Sequence, residues 1–71
     1  MRIHITSVNG HTVYATIMGL KNPRFTLGGL YMTLPSIIVR NHGIEDIERV
    51  LNDMVHEGIL RKVSDQTYER V

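Results

Sequence analysis

Residues 44–57 carry the pattern that most constrains the fold of this chain. Apolar side chains recur there at three- and four-residue spacing, with polar side chains between them, so one face must meet the core. The apolar positions are Ile44, Ile47, Val50, Leu51, Met54 and Val55. Gly43 suits the N-cap, and Glu45 and Asp46 complement the positive end of the helix dipole. Gly58 can adopt the left-handed conformation that commonly ends a helix. The sequence therefore predicts an amphipathic helix.

The segment after Gly58 predicts a β-hairpin. Two short strand-like runs flank a polar turn, at residues 59–63, 64–66 and 67–71. If Val63 lies opposite Thr67, then Arg61 lies opposite Glu69. Opposite charges facing each other across two strands stabilise the pair.

The size and composition of the chain predict a single domain, residues 1–71. With 71 residues and no cysteine, neither a disulfide nor a thiolate zinc site can brace the fold, so packing must stabilise it. An apolar content of 42% with 21% charged residues is typical of a globular protein. No apolar run approaches the ~18 residues of a membrane span, and the first residues do not resemble a signal peptide. We expect no membrane partner and a cytoplasmic location.

Two alternatives compete for the first 43 residues. In the helical alternative, residues 11–20 form a helix, 25–26 a short strand, and Thr26 caps a second helix that carries Leu27, Leu30, Tyr31 and Leu34. In the strand alternative, turns at residues 8–10 and 28–29 create an antiparallel β-meander over 1–34, packed on helix 44–57. The many Thr, Val, Tyr and Ile residues of the first segment favour strands.

A resemblance favours the helical alternative. The chain resembles the later part of a winged helix-turn-helix domain over residues 25–71, at Phe25-Thr26, Leu30-Tyr31, Leu34-Pro35, residues 46–51, Met54, residues 57–60 and Thr67-Tyr68. This resemblance implies an α+β fold, a recognition helix over 43–57 and a wing over 59–71. Residues 1–6 would then form an extra strand.

The same resemblance implies a small transcriptional regulator that binds double-stranded DNA through the wing and a few recognition-helix residues. A homodimer would read two half-sites. The candidate DNA-binding residues are Arg49, Asn52, His56, Arg61, Lys62, Gln66, Arg70 and Arg40. Lys21 and Arg24 are further bases that flank the wing in this interpretation.

The charge of the predicted recognition helix supports an alternative function. Five acids against Arg49 give residues 44–57 a net charge of −4, which a phosphate surface would repel. The acidic face of residues 45–57 would instead suit a protein partner with a basic surface. The chain could thus be a protein–protein interaction module without DNA binding. Residues 1–44 carry +4 and residues 45–71 carry −3, so copies of the chain could also bind each other.

The sequence predicts neither an enzyme nor a cofactor. No nucleophile motif surrounds the three serines, and Gly28-Gly29 lacks the remaining residues of a phosphate-binding loop. The four histidines do not follow a metal-binding spacing, so we expect no metal site. The function predicted from the sequence is therefore one of binding.

Overall fold

Four helices and a three-stranded antiparallel sheet make up residues 8–71, the part of the chain that the computed structural model describes. In chain order they are α1 (Val8–Met18), β1 (Arg24–Thr26), α2 (Leu27–Thr33), α3 (Ser36–Asn41), α4 (Ile44–His56), β2 (Leu60–Ser64) and β3 (Thr67–Arg70). The strand order is β1-β3-β2. This is a small α+β domain. The strand expected at residues 1–6 lies outside the described residues.

Helix α4 confirms the predicted amphipathic helix. Its apolar face buries Ile47, Leu51 and Met54 in the core. Gly58 has a φ of +79° and so supplies the left-handed turn that follows the helix. The Ile59 amide donates to the Met54 carbonyl at 2.9 Å, which reverses the chain toward β2.

The hairpin of β2 and β3 is also confirmed, with one correction to its register. Arg61 lies opposite Glu69 as expected, but Ser64, and not Val63, lies opposite Thr67. An irregularity between Lys62 and Ser64 absorbs the extra residue, which leaves a two-residue loop. The predicted three-residue turn was wrong because sequence alternation does not reveal a bulge.

The β-meander alternative is wrong for residues 8–34. Helix α1 aligns Val13 and Ile17, four residues apart, and both are completely buried. Burial of these two side chains outweighs the modest helix propensity of β-branched residues. The helix begins at Val8 and ends at Met18, earlier at both ends than predicted.

Thr26 caps α2 as the helical alternative required. Its Oγ1 accepts a hydrogen bond from the Gly29 amide at 3.0 Å. A Cβ on Gly29 would lie 2.9 Å from that oxygen, so a larger residue there would require the Thr26 side chain to shift. In the first turn of a helix such a glycine costs less than it would in the interior.

Two features of the fold were not predicted. Helix α3 follows Pro35 and buries Ile38, and the Tyr31 hydroxyl donates to the His42 carbonyl at 2.9 Å just beyond its end. Strand β1 pairs with β3, which places Phe25 opposite Tyr68.

The core lies between the helices and one face of the sheet. Its buried members are Val13, Ile17, Leu27, Leu30, Leu34, Ile38, Ile47, Leu51, Met54, Ile59, Leu60 and Tyr68. None of the helices between residues 8 and 71 is both long and apolar enough to cross a membrane.

Candidate functional site

The outward face of the sheet carries a row of three charged residues. The register places Arg24 of β1 and Arg61 of β2 on either side of Glu69 in the central strand. Arg24 Nη2 lies 3.4 Å from Glu69 Oε2, and Arg61 Nη2 donates to Oε1. The two arginine side chains are 56% and 69% exposed, against 18% for Glu69. We call these three residues the arginine–glutamate row.

The electrostatics of the row favour an ionised Glu69. The hydrogen bond from Arg61 is the largest cause that lowers the pKa of Glu69 below its ordinary value. Partial desolvation acts against this, while the charges of Arg61 and Arg24 lower the pKa further. At neutral pH the row therefore holds two positive charges and one negative charge.

A further cation, Lys62, lies on the opposite, inward face of the sheet. Lys62 lies opposite Tyr68, and its Nζ is 5.7 Å from the centroid of the Tyr68 ring. The Phe25 ring also packs against the Tyr68 ring, stacked at a centroid distance of 6.1 Å. Consecutive residues of a strand point to opposite faces, so Arg61 and Lys62 belong to different surfaces.

Tyr68 connects the hairpin to α4. Its hydroxyl donates to Asn52 Oδ1 at 3.3 Å. Burial is the main cause that raises the pKa of the Tyr68 phenol, with smaller contributions from the negative charges of Glu48 and Asp65. Asn52 was predicted as a base reader. Its side-chain oxygen instead accepts a hydrogen bond from Tyr68, a residue of the core.

The outer face of α4 is acidic, as its sequence indicates. Arg49 is 78% exposed, and its Nη2 lies 3.1 Å from Asp46 Oδ1. The second oxygen of Asp46 lies 3.4 Å from His42 Nδ1. His56 is exposed in the last turn. Asp46 therefore offsets part of the positive charge that Arg49 could offer to a phosphate.

Arg70, another predicted DNA-binding residue, caps helix α1. Its Nη1 donates to the carbonyl oxygens of Ile17 and Leu20 at 2.9 Å and lies 3.3 Å from that of Met18. Ile17 and Met18 lie in the last turn of α1, where carbonyls have no partner within the helix, and Leu20 lies two residues beyond its end. A positive charge there also complements the helix dipole.

The other two candidates lie on separate elements. Arg40 is exposed in the last turn of α3, and Gln66 is exposed in the hairpin loop. The Gln66 carbonyl accepts the Leu27 amide at 2.8 Å, which fastens the loop to the start of α2.

Arg24 is the residue whose position the sequence did not reveal. It was predicted only as a flanking base, because nothing in the sequence pairs β1 with β3. The hairpin register did predict Arg61 opposite Glu69. The sequence did not show that Arg24 would bind the second oxygen of the Glu69 carboxylate.

The part of the chain that the structure describes contains no cluster of His, Asp or Glu that could hold a metal ion. Residues 8–71 enclose no pocket either. In comparisons with known proteins, no protein-family model, curated protein or solved structure matches the chain.

Proposed function

We propose that the chain is a winged-helix protein that binds double-stranded DNA as a transcriptional regulator. The observation that carries the proposal is the continuity of α4 with the hairpin: the helix ends at His56, Gly58 turns the chain, and β2 follows from Leu60, with Arg61 and Lys62 exposed on it. The strand before α2 completes the sheet beside the hairpin. The strand, the second helix, the recognition helix and the wing follow one another in the order that the winged-helix resemblance implies, with α3 as an additional helix between α2 and α4.

The hairpin supplies most of the affinity in this proposal. Helix α4 exposes Glu45 and Asp53, and Glu57 is exposed just beyond its end, so a close approach of the whole face to phosphates is unfavourable. Arg49, His56 and the amide nitrogen of Asn52 remain as base readers. Arg40 and Gln66 are peripheral contacts. Arg70 is left out because its guanidinium caps α1.

In the proposed function, two copies of the chain associate to bind DNA. A domain with few phosphate contacts binds DNA weakly, and a homodimer that reads two half-sites doubles those contacts. Small DNA-binding domains gain both affinity and half-site spacing in this way.

The test is to substitute the two hairpin cations one at a time. We expect Arg61→Ala and Lys62→Ala each to weaken binding to a random duplex, and each to reduce the salt dependence of log K by about one unit, because one phosphate fewer is neutralised. Fluorescence anisotropy over a salt series measures this. Arg61→Lys is the matched control, since it keeps the charge. Unchanged affinity in both alanine variants would contradict the proposal.

A protein-interaction module is the second candidate, and the acidic face of residues 45–57 supports it. Its exposed carboxylates would suit a partner with a basic surface. The duplex titration separates the two functions, because an interaction module has no DNA affinity that salt could weaken.

A further inference from the structure

The arginine–glutamate row has the geometry of a site for a singly charged anion. Adjacent strands of a sheet lie about 4.8 Å apart, so the backbones of Arg24 and Arg61 are separated by roughly 10 Å across the central strand. Both guanidinium groups turn toward the middle, where each binds a different oxygen of the Glu69 carboxylate. Two arginines are thus already arranged around one negative group.

A phosphodiester resembles that carboxylate in the features the arginines recognise. Each group carries one negative charge on two oxygens that accept N–H donors, and planar guanidinium groups suit both. An arginine has five N–H donors. Each arginine binds Glu69 through one terminal nitrogen, and more than half of each side chain is exposed. A phosphate can therefore approach the same two arginines from the solvent side.

We propose that Arg24 and Arg61 together bind a backbone phosphate of duplex DNA on the outward face of the sheet, and that Glu69 competes with this phosphate. The inference rests on the proposed DNA-binding function and assigns part of it to a surface other than α4. Arg24 is a direct contact, although it lies outside the hairpin. Glu69 limits the affinity of the site.

Glu69 gives the site two properties. In free protein, its carboxylate keeps both arginines oriented across the sheet. In the complex, it repels the phosphate and so lowers affinity for any duplex, independent of base sequence. A weaker backbone contact leaves a larger share of the binding energy to base readers.

The experiment compares Arg24→Gln, Arg24→Lys and Glu69→Gln in duplex binding over a salt series. We expect Arg24→Gln to reduce the salt dependence of log K by about one unit, and Arg24→Lys to retain most of it. Glu69→Gln should tighten binding at low salt by about fourfold, the effect of removing repulsion between unit charges ~5 Å apart in water. Lys21→Gln, an equal charge change three residues away, should have a smaller effect than Arg24→Gln.

Each outcome decides a different claim. If Arg61→Ala and Lys62→Ala weaken binding while Arg24→Gln does not, the phosphate site is wrong and the hairpin function stands. If Glu69→Gln binds the duplex no more tightly than the wild type, Glu69 does not compete with the phosphate. If neither the wild type nor Glu69→Gln binds a duplex at low salt, both the site and the proposed function fail. A heteronuclear NMR spectrum of each variant verifies that the sheet is intact.

Discussion

The cap that Arg70 provides for α1 gives the sharpest stability prediction. In Arg70→Met the aliphatic part of the side chain remains, while the guanidinium is removed. Nη1 has two N–H groups, and two carbonyls lie at 2.9 Å, those of Ile17 and Leu20. Two charge-assisted hydrogen bonds in a partly exposed site, together with the helix dipole, contribute about 2 kcal/mol to the free energy of unfolding. We expect Arg70→Met to decrease that free energy by this amount.

That decrease is large for a domain of this size. Small domains are stable by roughly 0.05–0.15 kcal/mol per residue, and a decrease of about 2 kcal/mol corresponds to a decrease in Tm of roughly 8–16 °C. Urea and thermal unfolding followed by circular dichroism measure both quantities. Arg24→Met is the matched control and should change the Tm far less, because an exposed ion pair contributes little to stability. If Arg70→Met costs less than about 0.5 kcal/mol, the capping role is refuted.

Two further predictions concern Gly58 and Tyr68. Because Gly58 has a φ of +79°, Gly58→Ala should destabilise the domain by about 1–2 kcal/mol in urea unfolding, and unchanged stability would show that the turn adapts. The Tyr68 phenol should ionise above its ordinary pKa of 10.0, seen in an ultraviolet pH titration as the component that Tyr68→Phe removes. Its raised pKa adds stability that is complete below pH 10.0 and is lost as the pH rises through the folded-state pKa; a midpoint at or below 10.0 would contradict this.

Local signals in the sequence were enough to predict α4 and the hairpin. The apolar spacing of residues 44–57, the glycines at both ends and the polar turn all act over a few residues. The sequence left helix α1 ambiguous. The helix propensity of its residues is modest and favours strands, whereas the burial of its apolar residues favours a helix. Val13 and Ile17 become decisive only when a core exists to receive them. Helix α3 is six residues long, too short for a periodic pattern.

The candidate site depends more strongly on contacts between distant residues. Register within the hairpin placed Arg61 opposite Glu69, since the two strands are neighbours in sequence. The pairing of β1 with β3 joins residues 45 positions apart and brings Arg24 to the same carboxylate. No local pattern reports that contact. The role of Arg70 is equally hidden, because its acceptors lie about 50 residues earlier in the chain.

The salt dependence of duplex binding by the unmodified protein tests the central claim most directly. One phosphate bound by Arg24 and Arg61 together and a second bound by Lys62 predict that log K falls linearly with the logarithm of salt concentration, with a slope of about −2 per bound copy. Fluorescence anisotropy of a labelled random duplex between low and physiological salt gives this slope. Absence of binding at low salt, or binding that salt does not change, would contradict the account.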